Sequence, residues 1–182
     1  MDQPEGKYWM KTRQPDFRQL FYANFGTVPK QVTYNVRQDS NRYHDLVFLG
    51  SLIHDARFKM KRAVLKGNRL TIPLNRDCWE LGITKRNGIG ELHIADAKLT
   101  ISSVVSLEWR FPHGFEAHAK ELWIGSIWLN PECDSETRDL VIDCHDWKCV
   151  ITLNTENIRI RLVDAETPYL YSDRKKRKKA QA

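Results

Sequence analysis

The segment Leu99–Phe111, with the sequence LTISSVVSLEWRF, has the clearest strand pattern in the chain. Because successive side chains of a strand point to opposite faces, every second residue of this segment belongs to the same face. One face carries Leu99, Ile101, Ser103, Val105, Leu107, Trp109 and Phe111. The alternation predicts one long strand with a buried inner face, on which Leu107 and Trp109 are covered. Such a strand needs neighbouring elements to cover its apolar side.

The rest of the chain predicts further strands around this one, at intervals of about ten residues. Apolar residues alternate in 31–37, 69–74, 91–94, 140–144, 147–153 and 158–162. A hairpin is predicted between 57–65 and 69–74, because Gly67 in its turn adopts positive φ without steric cost. Residues 154–157 are expected to join the last two runs as a second hairpin. The segment Glu121–Leu129 has apolar residues at both odd and even positions, so both faces would be buried. This pattern predicts a central, well-covered strand.

Two segments differ from this strand pattern. Apolar residues at helical spacing follow Pro15-Asp16 and predict a short N-terminal helix near 15–24. Leu46–Ile53 fits either a buried strand with a bulge or a short helix. Since strands and helices do not alternate, a parallel α/β sheet is not expected. The sequence predicts a mainly β fold: an antiparallel sandwich or a curved, partly closed sheet of about eight strands, with one short N-terminal helix.

The charge of the chain is concentrated near its C-terminal end. Of 182 residues, 29 are basic and 23 are acidic, and the run Arg174–Lys179 contains basic residues only. Without this run of six, basic and acidic residues are equal in number. A neutral body argues against a dedicated nucleic-acid-binding fold, although it leaves room for a local basic patch. We expect a single β-rich domain over 1–172, with an irregular lead-in at 1–14, and a disordered basic tail over 173–182.

The tail favours solubility, and it also suits weak, salt-sensitive contact with nucleic acid or an anionic surface. The first residues are polar and lack an apolar signal segment, and no stretch is long and apolar enough for a membrane span. We therefore expect a cytoplasmic protein. The four cysteines, Cys78, Cys133, Cys144 and Cys149, are expected to be free thiols, with no structural metal and no cofactor.

A candidate metal site centres on His54-Asp55, in the sequence Leu52-Ile53-His54-Asp55-Ala56. This stretch resembles the central motif of the HD-domain phosphohydrolases, in which adjacent His and Asp side chains ligate a metal that activates water. The resemblance implies a metal-dependent hydrolase that uses His54 and Asp55, with His44 as a further ligand. That family is all-helical, whereas this motif leads into a predicted hairpin. The alternative is a local turn in which the imidazole N–H donates to the carboxylate.

The candidate binding residues are tryptophans and arginines on the predicted strands. Trp123 and Trp128 would point to opposite faces of one strand, so one of them would line a less covered side. Together with Trp109 and Arg110 it would form a recognition patch for a peptide, a sugar or a partner protein. Arg159 and Arg161 would form a basic ladder on the last strand, facing an acidic partner. The chain has neither a nucleophile elbow nor a glycine-rich phosphate loop. The sequence thus favours a non-enzymatic domain that binds a protein.

Overall fold

A computed structural model of the protein describes residues 33–37, 43–81, 83–86, 88–116, 121–130, 136–144, 146–165 and 167–174. These residues form two antiparallel sheets and one helix, which confirms the predicted mainly β sandwich with a short helix. That helix, α1, spans Tyr43–Ile53. The helix predicted near 15–24 lies outside the described residues. Within the described ranges, no helix is long and apolar enough to cross a membrane.

Thirteen strands belong to the described part of the chain. In chain order they are β1 (Thr33–Arg37), β2 (Arg57–Phe58), β3 (Val64–Lys66), β4 (Arg69–Asp77), β5 (Ile83–Arg86), β6 (Ile89–Ile101), β7 (Val104–Arg110), β8 (Leu122–Trp123), β9 (Ser126–Leu129), β10 (Thr137–Cys144), β11 (Trp147–Asn154), β12 (Arg159–Asp164) and β13 (Tyr169–Leu170). The larger sheet has the order β1-β12-β6-β4-β2-β8, with β3 added to β4 and with β5 and β13 added to β6. The smaller sheet has the order β7-β11-β10-β9.

The core lies between the two sheets and is closed by α1. Strand β6 is central to the larger sheet, where it pairs with β4 on one side and β12 on the other. Alternate residues of these three strands are buried together with residues of the smaller sheet: Leu70, Ile72, Leu99, Ile101, Leu140, Ile142, Ile160 and Leu162. The helix adds Leu46, Leu49 and Leu52, whose spacing places them on one side of α1. This spacing explains why Leu46–Ile53 is helical, the second of its two predicted forms.

Helix α1 packs closely against the smaller sheet at Gly50. A Cβ atom added to Gly50 would lie 3.1 Å from Cγ2 of Ile127 on β9. The glycine therefore allows the helix backbone to approach the sheet, which outweighs its unfavourable helix propensity.

The prediction that Leu99–Phe111 forms one strand is wrong. The chain passes from β6 of the larger sheet to β7 of the smaller sheet between Ile101 and Val104, where Ser103 adopts a positive φ of 62°. Relative to β11, β7 also carries one extra residue, Val105, because Ser106 pairs with Thr152 and Val104 with Leu153. This bulge reverses the predicted alternation, since Val104 is buried and Val105 is 62% exposed.

Beyond the bulge, the predicted inner face of β7 is restored. Leu107 and Trp109 pack against the core, although both are only half-buried because β7 lies at the edge of the smaller sheet. The pattern therefore identifies the correct face of this half of the segment and overstates how deeply it is covered.

Two further connections also pass between the sheets. Glu121–Leu129 is not a central strand: β8 and β9 are short edge strands of different sheets, joined by a corner at Ile124-Gly125. The connection at 154–157 is not a hairpin, because it leads from β11 in the smaller sheet to β12 in the larger one. Strands that bend and change sheets at corners are typical of sandwiches whose two sheets share their strands. The hairpin between β3 and β4 is confirmed, with Gly67 at a φ of 58°.

Candidate functional site

The exposed surface of the larger sheet carries a group of unpaired basic side chains, here called the basic face. Its five exposed residues are Lys66 on β3, Arg69 on β4, Lys98 on β6, and Arg159 and Arg161 on β12. Four of them point away from the core because they alternate with buried residues of β4, β6 and β12. Lys66 lies directly opposite Arg69 on β3, a strand whose three residues are all exposed. Within the described residues, none of the five takes part in an ion pair.

The strand register brings these five residues into one area. Arg161 lies in the same row as Thr100 and Thr71, while Lys66 is directly opposite Arg69. Three strand spacings separate β12 from β3, a width of about 14 Å. The centre of the area is lined by the hydroxyl-bearing side chains Thr71, Thr100 and Ser102. The arrangement offers cations at the rim and hydroxyl groups between them.

No acidic side chain of the described sheet lies in this area. The first outward-pointing carboxylate on β6 is Asp96, two residues beyond Lys98, and it accepts a hydrogen bond of 2.9 Å from Nδ2 of Asn75. Basic and acidic residues are thus equal in number outside the tail, but they are distributed unevenly over the described surface, and the basic face is positive. The sequence already indicated Arg159 and Arg161, whereas Lys66, Arg69 and Lys98 were missed because only the register places them beside β12.

The outer face of the smaller sheet has mixed charges that are engaged with one another. Glu108 and Arg110 form an ion pair of 2.6 Å, and Thr152 donates a hydrogen bond of 2.9 Å to Asp139. Asp143 accepts hydrogen bonds from Ser126 and from the indole of Trp128, the latter at 3.3 Å. The outer face of the smaller sheet therefore carries charges of both signs, unlike the basic face.

Five of the residues predicted to bind a partner do not form one patch. Arg159, Arg161 and Trp123 lie on the outer face of the larger sheet, but Trp123 is on the edge strand β8, four strand spacings from β12. Trp128 and Arg110 lie on the outer face of the smaller sheet, on its two opposite edge strands. The division follows from the corner at Ile124-Gly125, which places the two tryptophans in different sheets.

Trp123 is the exposed member of a corner of the larger sheet. Its ring is 47% exposed and lies over the guanidinium of Arg57, 5.3 Å from Cζ. Arg57 also donates a hydrogen bond of 3.0 Å to Asp77. Nε of Arg57 and Oδ1 of Asn75 have no hydrogen-bond partner within the described part of the chain, and both atoms are enclosed. Trp123 is the most exposed of these residues, since the side chains of Arg57 and Asp77 are only 10% and 18% exposed.

His54 and Asp55 form a turn that ends α1. The amide of His54 donates to the carbonyl of Gly50, and the amide of Asp55 donates to that of Ile124. Asp55 has a φ of 63°, the left-handed conformation common just after a helix. Nδ1 of His54 lies 3.0 Å from Oδ2 of Asp55, with both side chains well exposed. His44 belongs to the first turn of α1, at the opposite end of the helix, about 15 Å along its axis.

We expect His54→Ala to change the free energy of unfolding by less than about 1 kcal/mol, because contacts between well-exposed polar side chains contribute little. Elemental analysis of the purified protein should find the same metal content before and after the substitution. Zinc or manganese that is lost with His54 would instead establish the metal site implied by the HD-domain resemblance.

The three described residues whose ligand atoms come closest together are Cys78, Glu80 and Asp164, within 4.8 Å of one another. The fully buried guanidinium of Arg76 already occupies the place of a cation among them. It donates hydrogen bonds of 2.8 and 2.6 Å to Asp164 and of 3.1 and 2.6 Å to Glu80. Arg76 and Asp164 lie on β4 and β12, on either side of β6, where Arg76 is opposite Ala95 and Asp164 is opposite Ala97, two residues with small side chains.

Electrostatics keep Arg76 charged and the thiol of Cys78 protonated. Burial acts to lower the pKa of Arg76, but its hydrogen bonds to Asp164 and Glu80 outweigh burial and raise the pKa. Burial raises the pKa of Asp164, and the guanidinium acts against it. We take Asp164 as ionised because it accepts two hydrogen bonds from a permanently charged group. Burial also raises the pKa of Cys78, so no thiolate is available near neutral pH.

Burial also keeps the thiol of Cys149 protonated near neutral pH. Cys144 and Cys149 are free, as predicted, and so is Cys78. Burial raises the pKa of Cys149 to about 12. Sequence reasoning missed the buried cluster because its members, Arg76 and Asp164, are 88 residues apart and each lies in a polar stretch.

Fold and surface together define a mainly β sandwich with a segregated basic face. Comparisons with models of protein families, with curated proteins and with solved structures found no match to this chain.

Proposed function

We propose that the chain is a non-enzymatic binding domain, and that its basic face docks an acidic surface of a partner protein. The observation that carries the proposal is the group of five exposed cations on one surface of the larger sheet, with no acidic side chain between them among the described residues. Charges of one sign on a rigid sheet attract and orient a partner of opposite charge, and increase the rate of association. A sheet also holds the five side chains at set spacings, which gives such a surface selectivity.

A protein is favoured over a nucleic acid for three reasons. The body is neutral outside its tail, whereas nucleic-acid-binding domains are usually basic as a whole. Among the described residues, the basic face has no aromatic ring on which a base could stack. Val64, which lies in the row of Thr71 and Arg161, is 56% exposed and offers an apolar contact of the kind protein interfaces use.

The proposal is tested by measuring how the full-length protein binds a fluorescent oligoglutamate peptide, with fluorescence anisotropy as the readout. The double variant Arg159→Glu and Arg161→Glu should weaken binding by about tenfold or more, since it replaces attraction by repulsion on the face. The matched control, Lys178→Glu and Lys179→Glu in the basic run, changes the net charge equally. We expect the control to weaken binding by less than about threefold.

Each other outcome contradicts the proposal. Equal losses in the two double variants would mean that the peptide responds to net charge alone. Oligothymidylate binding that exceeds oligoglutamate binding and depends on Arg159 and Arg161 would assign the face to a nucleic acid. An unmodified protein that binds neither probe would remove the basis for an anionic partner. Circular dichroism of all variants checks that they are folded.

A further inference from the structure

A second surface with self-complementary charges lies along β7. Within the described residues, β7 pairs with β11 and with no other strand, so its second edge is open. The bulge at Val105 bends the start of the strand, and Pro112, which lacks an N–H group, follows its end. The regular part of the open edge is therefore short, from Ser106 to Arg110, and Phe111 follows directly after it.

The side chains of this edge divide between the two faces of the smaller sheet. Leu107, Trp109 and Phe111 lie on the core side, where all three are half-buried. Glu108 and Arg110 lie on the outer side, are 59% and 58% exposed, and form an ion pair of 2.6 Å within the strand. The pair places one negative and one positive charge two residues apart on a strand whose second edge is open.

This spacing selects one register for pairing β7 with a second β7. When a two-fold axis relates two antiparallel strands, each face of the joined sheet is continuous only if odd-numbered residues lie opposite odd-numbered ones and even opposite even. The possible registers therefore differ by two residues. Centring the axis on Glu108 or on Arg110 brings like charges face to face. Centring it on Trp109 places each Glu108 opposite the Arg110 of the other strand.

We propose that two copies of this chain associate through β7 with the axis at Trp109. The smaller sheets then join into one continuous sheet, and the hydrogen-bonding groups of both open edges are used. The two Trp109 side chains become a cross-strand aromatic pair, and Leu107 of each copy lies opposite Phe111 of the other. Two ion pairs between the copies, Glu108 with Arg110 in each direction, replace the pair within each strand.

This association is independent of the proposed function because it uses the edge of the smaller sheet and leaves the basic face of the larger sheet open. A dimer would nevertheless present two basic faces to one partner and raise avidity for a partner with repeated acidic sites.

Sedimentation velocity of the full-length protein over a range of concentrations tests the pairing. The unmodified chain should form a species of twice the 21.4 kDa of one copy. Glu108→Arg alone and Arg110→Glu alone each bring like charges face to face in both pairs and should weaken dimerisation by about tenfold or more. Mixing the two single variants should restore a dimer, because one copy then carries two positive charges and the other two negative charges at these positions.

The mixture is also the control for folding, since only folded chains can restore the dimer. Arg161→Glu, on the basic face, should leave dimerisation unchanged. A monomeric unmodified chain at every concentration would overturn the proposal, as would single variants that dimerise like the unmodified chain. A mixture that stays monomeric would overturn the register and with it the proposed interface.

Discussion

Arg76→Met is expected to lower the free energy of unfolding by about 3–5 kcal/mol, because it leaves buried carboxylates without their cation. Asp164 is fully buried and the Glu80 side chain is only 6% exposed, so neither is well solvated in the native state. Methionine fills much of the same volume, which makes a cavity a minor part of the loss. Urea unfolding followed by circular dichroism measures the change.

Asp164→Asn is the matched control for this substitution. It keeps the shape of the side chain and an oxygen acceptor, and Arg76 retains its two hydrogen bonds to Glu80. The remaining cation and carboxylate balance each other, so the loss should be smaller than for Arg76→Met. If the asparagine variant is the less stable of the two, the cluster depends on Asp164 alone, contrary to this account.

The stability of Arg76→Met should also depend on pH in a defined direction. Burial already raises the pKa of Asp164, and the substitution removes the guanidinium that opposes this shift. The native state of the variant then binds more protons than the unfolded state, so its stability is greatest below the ordinary carboxyl pKa of about 4 and falls as pH rises through the higher native pKa. The deficit relative to the unmodified chain should therefore be smaller at about pH 5 than at about pH 8. A deficit that grows towards acid pH would contradict this explanation.

Trp147→Ala is expected to cost about 3–5 kcal/mol of unfolding free energy, through the loss of a large buried ring. Trp147 is 5% exposed and lies between the sheets, with its ring centroid 5.5 Å from that of Phe58 and 5.8 Å from that of Trp109. Its Nε1 donates a hydrogen bond of 3.0 Å to the carbonyl of Trp123. The alanine variant loses these contacts and leaves the carbonyl at the β8 corner without its donor.

Two further variants separate these contributions. Trp147→Phe keeps most of the packing and loses the hydrogen bond, so it should cost roughly 1–3 kcal/mol. Trp79→Ala removes a ring that is 47% exposed and should change stability by less than about 1 kcal/mol. A loss at Trp79 as large as that at Trp147 would show that burial does not decide the effect.

The sequence predicts the faces of single strands well in this chain and their junctions poorly. On β4, the alternation of Leu70, Ile72 and Leu74 correctly predicts a buried face, because period-two patterns report which side is covered. The corner at Ser103 was missed because its positive φ follows from packing between sheets, and no glycine marks it. The prediction of one strand over 121–129 is wrong for a related reason. The apolar residues of its first part belong to the larger sheet, and those of its second part belong to the smaller sheet.

The basic face could be predicted only in part. Arg159 and Arg161 alternate with apolar residues on one strand, which makes their exposure visible in the sequence. Their proximity to Lys98 and Arg69 depends on the pairing of β12 with β6 and of β6 with β4, and these pairings join distant parts of the chain. Asp173, the first residue of the predicted tail, ends a 3-10 turn, and the neighbouring amide of Ser172 donates a hydrogen bond to Glu91. The extent of the disordered tail stays a prediction.

The order of strands in the larger sheet has a consequence for folding kinetics. β1 pairs with β12, so that Thr33 is opposite Val163 although most of the described chain lies between them. β6 likewise obtains its two neighbours from opposite directions along the chain. Closing such long loops is entropically expensive before the contacts form, and folding is slowest in topologies of this kind. During synthesis, one edge of β6 stays unpaired until β12 emerges from the ribosome, and we expect this interval to be when the protein depends most on chaperones.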